Sequence, residues 1–219
     1  LGEFSSGDAD PAASIYHLHA AARAGSAVAQ WALAQLYAGY ENDLLPVRPD
    51  KPVNPDTAPP PFPVEEDSEK VVRLLEAVSR QIREPMLQLA ALMRLVQVFS
   101  TGTEGGEGEG DPKRALDAAE KAYDRWVEIT VGKPQRKLSS DGPPPPCKLP
   151  DLESLPMQGH ELMAAAAELV GRCPGGRHPS GDEGRIAREW YELAAEEAMT
   201  GEPVKALKYQ QLAEASPTR

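Results

Sequence analysis

Small side chains recur at helical spacing on both sides of a glycine in residues 21–39, which read AARAGSAVAQWALAQLYAG. Alanine makes up nearly half of this stretch, and Gly25 interrupts it where a helix would otherwise continue. Glycine commonly follows a helix end, because the left-handed backbone that closes a helix costs other residues more. Two helices joined by so short a link must lie antiparallel, and alanines at their crossing let the axes approach closely. The stretch therefore predicts a helical hairpin with alanine as its packing surface.

The start and the apolar stripes of this first hairpin can be placed on the chain. Pro11 follows Asp10, a good N-cap, and proline at the first helical position loses no hydrogen bond. The two stripes contain Ile15, Leu18, Ala21 and Ala22, and then, in a helix from about Ala27, Ala29, Ala32, Leu33, Leu36 and Tyr37. We expect this pair of helices to cover about residues 11–39.

Apolar stripes of helical period return three more times, which predicts further pairs over about 67–100, 111–170 and 182–215. The stripes of the second pair contain Val71, Val72, Leu74, Leu75, Ala77 and Val78, and then, after Pro85, Leu89, Leu92, Val96 and Phe99. The stripes of the third pair contain Ala115, Leu116, Ala118, Ala119, Ala122, Tyr123 and Trp126 after Asp111-Pro112, and then Leu162 to Val170. The stripes of the fourth pair contain Ile186, Trp190, Leu193, Ala194 and Ala198, and then, after Pro203, Ala206, Leu207, Tyr209, Leu212 and Ala213. Aromatic residues are only 5% of the chain, which favours a core of alanine and leucine. Stacked helical pairs form an α-solenoid. The prediction is an all-α fold with about four antiparallel pairs in a single domain over residues 1–219.

Three insertions are predicted to be flexible loops. Residues 41–64 and 131–155 are rich in proline, and residues 101–110 are rich in glycine and glutamate. With 22 prolines and 18 glycines in the chain, these segments cannot continue a helix. Long Pro/Gly-rich loops between ordered helices are therefore part of the predicted fold.

Charge and composition exclude several kinds of partner. The net charge of -11 argues against nucleic acid and against anionic membranes, both of which favour basic surfaces. No run of 18 apolar residues predicts a transmembrane helix, and nothing resembles a signal peptide. Cys147 and Cys173 form no disulfide framework, which favours free thiols. A cytoplasmic protein fits best, and because the chain begins at Leu1 we interpret it as a fragment.

The usual catalytic and metal-binding patterns are missing. HELMA, from His160, begins like a zinc-protease motif but has Ala164 where the second histidine ligand belongs, so a polar first helical turn is the simpler interpretation. GGEGEGD has no lysine or hydroxyl residue for a phosphate loop. His17 and His19 are two apart on a helix and face different sides, so we expect one packed and one exposed. We predict no catalytic residue, no metal site and no cofactor.

Large aromatic side chains are assigned to packing. Trp31, Trp126 and Trp190 stand beside alanine and leucine at helical positions, so a core position is the first interpretation for each. Tyr209 is left open between core and binding anchor, because no later repeat covers the last helix. In that helix we expect Leu207, Leu212 and Ala213 to face inward. Glu196-Glu197 and Glu65-Glu66-Asp67 are interpreted as solvated helix faces, and the second group also favours a helix N-terminus.

The first hairpin resembles a Sel1-like repeat, a helical pair related to TPR repeats. The family pattern is met by Ala21, Ala22, Gly25, Ala29, Gln30, Leu33, Leu36, Tyr37 and Gly39, with the last glycine one position early. Residues 100–126, STGTEGGEGEGDPKRALDAAEKAYDRW, are similar to the family's junction, where a Gly-rich turn and an aspartate open the next repeat.

The order of the segments resembles the carboxy-terminal region of the eukaryotic elongation factor 2 kinases, which are α-kinases. The likeness is strongest at residues 11–39 and 182–215, which include GEFSSGDADPAASIYHLHAAARAG at the start and REWYELAAEEAMTGEPVKALKYQQLAEA at the end. It also includes a long acidic, Pro-rich insertion after the first pair and a second insertion late in the third. The chain departs from animal members at its last residues, Ser216-Pro217-Thr218-Arg219, where those members carry aromatic and acidic residues.

This resemblance implies a non-catalytic role. In these serine/threonine kinases the repeat region follows the catalytic domain and brings the substrate, elongation factor 2, to the active site. The resemblance carries a protein-binding role to Ala206, Tyr209, Gln211, Ala213 and Glu214. The kinase domain of the same polypeptide is a further expected partner, and calmodulin is a candidate.

A second hypothesis stays open beside the kinase module. Sel1-like repeats also build free-standing adaptors, which assemble protein complexes in signalling or in endoplasmic reticulum quality control. The lack of a secretory signal and of a disulfide framework weighs against a lumenal adaptor. An enzyme of another kind is the weakest alternative, since the motif search does not support it.

Overall fold

A computed structural model of the protein describes residues 11–38, 67–101, 110–131, 155–172 and 183–216. Throughout these ranges the regular structure is helical and contains no strand, which confirms the all-α prediction for them. None of the described helices is both long and apolar enough to cross a membrane. The helices are α1 (Pro11–Arg23), α2 (Ala27–Tyr37), α3 (Ser68–Ser79), α4 (Pro85–Thr101), α5 (Pro112–Thr130), α6 (Gly159–Arg172), α7 (Glu183–Ala198) and α8 (Pro203–Ala215).

Local signals set where these helices begin and end. The side chains of Ser26, Asp67 and Asp111 are N-caps of α2, α3 and α5, each accepting a hydrogen bond from a backbone N–H three residues later. Such caps satisfy an N–H group that has no partner inside the helix. Gly25 has a positive φ of 91°, the left-handed conformation expected after a helix end. The predicted starts at Pro11, Pro85, Pro112 and Pro203 are confirmed.

The helices fall into two compact units. The first contains α1, α2, α3 and the beginning of α4 as far as Leu87. The second contains α4 from Gln88, together with α5, α6, α7 and α8. Packing between neighbouring helices is present within each unit. The single domain and the solenoid of four repeats stay predictions.

The core of the first unit lies between α2 and α3 and is lined mostly by alanine and branched aliphatic side chains. Its buried apolar residues are Ala27, Ala29, Trp31, Ala32, Leu33, Ala34, Val71, Leu75 and Val78. Tyr37 at the end of α2 contacts both α1 and α3. Its hydroxyl lies 3.2 Å from His19 Nε2 in α1, and Lys70 Nζ of α3 lies 5.0 Å from its ring centre. Asp67 N–H also donates to the Tyr37 carbonyl, at 3.3 Å.

The second unit is built from α5, α6, α7 and α8, each packed on the next. Trp126 of α5 packs against Gly159 at the start of α6, and the Tyr123 ring meets the Trp190 ring edge-on at 4.8 Å. The later part of α4 belongs to the same unit. Its Phe99 ring lies under the Arg114 guanidinium at 4.1 Å, and its Gln97 amide donates to the Pro156 carbonyl at 3.1 Å.

Some predicted stripe positions are wrong, and the errors share a cause. Leu193 and Leu207 are exposed, whereas Tyr191 is buried and was absent from the predicted stripe. Alanine is apolar and small, so an Ala-rich helix has several faces that could pack, and the neighbouring helix selects one. Trp31 and Trp126 are buried as predicted, and Trp190 is half-buried against Tyr123.

The predictions for Cys147, Cys173 and the loop 41–64, with nearly all of 101–110 and 131–155, lie outside the described residues.

Candidate protein-interaction surface

The last described helix, α8, contacts α7 at both of its ends. A short turn after Ala198 leads into α8, and Arg188 near the start of α7 reaches its far end. The Arg188 guanidinium donates to the carbonyls of Ala213 and Ser216 at 3.1 and 3.2 Å. The two helices are therefore antiparallel, and a cation lies at the C-terminal end of α8, where it interacts favourably with the helix dipole.

The buried face of α8 contains three of the five residues to which a protein-binding role was assigned. Ala206, Tyr209 and Ala213 are all buried. Their spacing of three and then four residues puts them on one side of the helix. The facing helix α7 has buried alanines of its own, at positions 187, 194, 195 and 198. These three residues of α8 therefore hold the helix in place rather than offering their side chains to a partner.

The opposite face of α8 contains the other two assigned residues. Gln211 and Glu214 are exposed, and so is Lys208. Val204 and Leu207 lie on the same side and are 83% and 57% exposed. We call Val204, Leu207, Lys208, Gln211 and Glu214 the outer stripe of α8. The expectation that Leu207 faces inward is wrong, because burial of Ala206, Tyr209 and Ala213 turns Leu207 toward solvent.

Two apolar side chains of α7 and the turn after it are also exposed. Leu193 lies in α7 and Met199 directly follows it, and both are accessible to solvent. Sequence reasoning missed Met199 altogether. Glu196 and Glu197, between these two positions, are exposed as predicted.

A charged cluster connects the start of α8 to the start of α6. Lys205 Nζ lies 2.9 Å from Glu161 Oε1 and 2.8 Å from Glu202 Oε2. The hydrogen bonds to Glu202 and Glu161 raise the pKa of the Lys205 ammonium above its usual value. One cation therefore bridges a carboxylate of α6 and the residue that precedes α8.

Glu161 also caps its own helix. Burial raises the pKa of this carboxyl, but the Gln158 N–H bond at 3.0 Å and the Lys205 ammonium outweigh that effect and hold the pKa below its usual value. A carboxylate in the first turn also interacts favourably with the helix dipole. The side chain is thus an ionised anchor for Lys205.

His160 is the unexpected member of this region. Its side chain is buried, and its ring centre lies 6.0 Å from that of Tyr209, with the planes tilted by 45°. Its Nε2 has no hydrogen-bond partner and lies 3.6 Å from Glu202 Oε1. The first turn of α6 contains His160 and Glu161, so the expected polar first turn is confirmed, whereas the burial of His160 was not predicted.

Burial raises the pKa of the Tyr209 hydroxyl above its usual value. The positive charge of Lys205 opposes this increase, and the negative charges of Glu161, Glu202 and Glu168 add to it. Tyr209 is therefore a neutral, packed side chain at physiological pH, next to a charged cluster.

The histidines and carboxylates do not assemble into a metal site where the chain is described. No group of three or more His, Cys, Asp or Glu side chains suited to a metal ion occurs in those ranges. His17 is exposed and His19 packs on Tyr37, so the predicted split between the two is confirmed.

Comparison with known proteins adds no further assignment. No protein-family model, curated protein or solved structure matches this chain.

Proposed function

We propose that this chain is the non-catalytic substrate-recruiting module of an elongation factor 2 kinase, a serine/threonine α-kinase. In this role it docks elongation factor 2 so that the catalytic domain of the same polypeptide can phosphorylate it. Tethering a substrate raises its local concentration at the active site without any chemistry in the tethering module. The module would thereby regulate translation elongation in the cytoplasm.

The observation that carries this proposal is the two-sided arrangement of α8. The buried face anchors the helix, while the outer stripe displays two large apolar side chains, Val204 and Leu207, to solvent. Apolar side chains at a spacing of three residues, flanked by polar groups, form a ridge that can enter a groove on another protein. This arrangement supports a docking role for α8.

The proposal divides the five assigned residues into two groups. Ala206, Tyr209 and Ala213 act by holding α8 in position, since their side chains are buried. Gln211 and Glu214 contact the partner directly, together with Leu207 at the centre of the outer stripe. Substitutions in the first group should alter the stability of the module, and those in the second should alter binding alone.

Direct binding tests this division. Purified elongation factor 2 should bind the 219-residue chain in calorimetry, and Leu207→Glu should weaken binding about tenfold or more, the loss expected for a central apolar contact. Val131→Glu is the control, because Val131 is also an exposed apolar residue, 80% accessible, and lies outside the outer stripe at the end of α5. Absence of binding by the wild-type chain, or equal losses in the two variants, would count against the proposal.

A deletion tests recruitment in a polypeptide that also carries the α-kinase catalytic domain. Removing residues 203–219 should abolish phosphorylation of elongation factor 2 and leave phosphorylation of a short peptide unchanged, because a peptide needs no docking. Loss of both activities, or of neither, would contradict the role.

The same polypeptide can be used to look for the remaining partners. Contacts of this module with the kinase domain, and with calmodulin as a further candidate, should appear as cross-links in the intact protein. An upstream reading frame that encodes a signal peptide or a membrane anchor in place of an α-kinase domain would favour a free-standing adaptor instead.

A further inference from the structure

The residues that follow α8 have the pattern of a kinase substrate. Residues 216–219 read SPTR, and Ser216-Pro217 is the one place in the 219 residues where proline directly follows a serine or threonine. Proline-directed protein kinases phosphorylate a hydroxyl residue at such a position. Cyclin-dependent kinases, which belong to that class, favour a basic residue three positions after the serine, and Arg219 stands there. The short stretch therefore meets each requirement of that substrate class.

Termination of α8 explains only part of this pattern. A proline shortly after a helix end cannot continue the helix and so marks its stop. That role needs neither the serine before Pro217 nor the arginine two residues after it. The backbone at Ser216 is extended, with φ -71° and ψ 122°, and the residue is partly exposed. Because kinases bind their substrates in extended form and helix ends open readily, Ser216 can enter a kinase active site after local opening alone.

A cation is already in place beside Ser216. Arg188 of α7 donates through Nη2 to the Ser216 carbonyl at 3.2 Å and through Nε to the Ala213 carbonyl at 3.1 Å. These bonds use two of the five N–H groups of the guanidinium. Among the described residues, no carboxylate lies within ion-pair distance of Arg188. This guanidinium therefore has both the charge and the donors to bind an anion attached to Ser216.

We infer that Ser216 is a phosphorylation site for a proline-directed kinase, and that Arg188 binds the phosphate and strengthens the attachment of α8 to α7. In the reaction, Ser216 Oγ attacks the γ-phosphorus of ATP held by the kinase. The Oγ–P bond forms as the bond from that phosphorus to the β,γ-bridging oxygen breaks, ADP leaves, and the hydroxyl proton passes to a base of the kinase. The site is a property of this chain alone and does not depend on which protein the outer stripe binds.

Some effects of the phosphate act against the attachment. Ser216 Oγ loses the proton with which it donates to the Leu212 carbonyl, at 2.9 Å in the unmodified chain. A phosphate, with a charge of about -1.5 to -2, also meets the negative end of the α8 dipole. Because Ser216 is partly exposed, water can replace the lost donor at the Leu212 carbonyl.

The position of α7 favours the phosphate. The two helices are antiparallel, so the end of α8 lies beside the beginning of α7, and the N-terminus of a helix attracts anions. The opposite dipole ends of the two helices therefore offset each other, and the full charge of Arg188 decides the outcome. Arginine and phosphate form paired, charge-assisted hydrogen bonds, which are about twice as strong as bonds between neutral groups. We therefore expect α8 to be held more tightly after phosphorylation.

Phosphorylation of the full chain tests the site. A purified cyclin-dependent kinase with ATP should modify Ser216, as located by mass spectrometry of peptides. Ser216→Ala and Pro217→Ala should abolish this incorporation, and Arg219→Gln should slow it severalfold. Thr218→Ala changes the hydroxyl residue between them and should leave the rate unchanged. Absence of phosphate on Ser216, undiminished incorporation in Pro217→Ala, or a loss in Thr218→Ala would overturn the assignment.

Hydrogen exchange tests the role of Arg188. In the phosphorylated chain, amides of α8 should have protection factors about two- to fivefold higher than in the unmodified chain, the effect of a partly exposed charge pair. Amides of α2 should show no such rise. Each variant is compared with its own unmodified form, so any loss of basal stability cancels. Arg188→Gln should abolish the rise, whereas Arg172→Gln, at an exposed arginine of α6, should retain it.

A second variant covers the case in which Arg188→Gln fails to fold. Arg188→Lys retains the charge but cannot form the paired hydrogen bonds, so it should reduce the rise without reversing it. Unchanged or lower protection of α8 in the phosphorylated wild type would exclude the proposed attachment. A full rise in Arg188→Gln or Arg188→Lys, or the loss of the rise in Arg172→Gln, would exclude Arg188 as the phosphate-binding group.

Discussion

The indole ring of Trp126 occupies the space into which any side chain on Gly159 would project. A Cβ atom built on Gly159 would lie 2.6 Å from both Cε2 and Cζ2 of that ring. Real Cβ atoms do not approach other atoms so closely, so α6 can begin against α5 only with glycine at this position.

Replacement of this glycine should destabilise the second unit. Gly159→Ala should lower the free energy of unfolding by about 1–3 kcal/mol, the usual cost of overpacking, because the Trp126 ring must move. Urea denaturation measures the change. Gly171→Ala is the control in the same helix, since a Cβ there meets nothing within 4 Å, and it should leave stability unchanged or raise it. Equal destabilisation by the two variants would show that the close approach to Trp126 is not the cause.

The turn between α1 and α2 depends on a glycine for a different reason. Gly25 has a φ of 91° with open space around it, so an alanine there suffers backbone strain rather than a clash. Gly25→Ala should cost about 1–2 kcal/mol in thermal or urea unfolding. Gly201, in the turn after α7, also faces open space, but its φ is not positive. Gly201→Ala should therefore lower the free energy of unfolding clearly less than Gly25→Ala does.

The start of α5 should depend on its N-cap. Asp111 Oδ1 accepts a hydrogen bond of 3.0 Å from the Arg114 N–H. Asp111→Ala should therefore lower the free energy of unfolding by about 1 kcal/mol. Asp111→Asn should lower it much less, because asparagine is also a good N-cap. Asp124→Ala, at an exposed position within the same helix, should have little effect. If the alanine and asparagine variants at position 111 behaved alike, the cap would have no measurable role.

The link between α6 and α8 should weaken in acid. The pKa of Glu161 is lowered from its ordinary value of 4.5, so its contribution to stability is present above that pH and is lost as the pH falls through the lower folded value. Unfolding free energies measured from pH 7 to pH 3 should show this loss. Lys205→Gln should reduce stability at pH 7 and make the acid loss smaller, because it removes a cause of the lowered pKa.

Lys208→Gln is the matched control for this experiment. Lys208 lies three residues further along α8, on the outer stripe, and is exposed. The variant should retain the pH profile of the wild type. If Lys205→Gln retained it as well, the bridge to Glu161 would not contribute to stability in solution.

Two buried tyrosines should make the fold sensitive to alkali. Burial raises the pKa of Tyr191, and the charges of Glu168 and of an ionised Tyr209 add to the increase. A raised folded pKa means that stability is present below the ordinary value of 10.0 and is lost as the pH rises above it. Tyr191→Phe should therefore lose less stability between pH 9 and 11 than the wild type, as measured by urea denaturation. Tyr16→Phe removes an exposed tyrosine and should leave the alkaline loss unchanged.

The sequence alone was sufficient for the features that depend on neighbours along the chain. Asp111 before Pro112 marks the start of α5, and Gly25 marks the end of α1, because capping and left-handed turns are decided within a few residues. The period of apolar residues was likewise enough to identify the helices, since it reflects the geometry of a single helix.

The assigned residues of α8 show where this reasoning stops. From the sequence, Tyr209 could be either a core residue or a binding anchor, and Leu207 was expected to face inward. In the structure Tyr209 is buried and Leu207 is exposed. Both are large and partly apolar, so periodicity within α8 could not separate them. No signal in the sequence indicated that His160 would be buried beside Tyr209, because these residues are 49 positions apart.

Sequence by itself determined that the chain forms helices, where those helices begin, and that alanine would dominate their contacts. Only the tertiary structure decided how each helix is rotated about its axis, and hence that Ala206, Tyr209 and Ala213 anchor α8 while Gln211 and Glu214 face solvent. The physical reason is that helix formation depends on bonds within one segment, whereas rotation depends on the shape of the neighbouring helix. An alanine-rich helix fits that shape in more than one orientation, and the bulk of Tyr209 beside His160, with Arg188 at the far end, selects one of them.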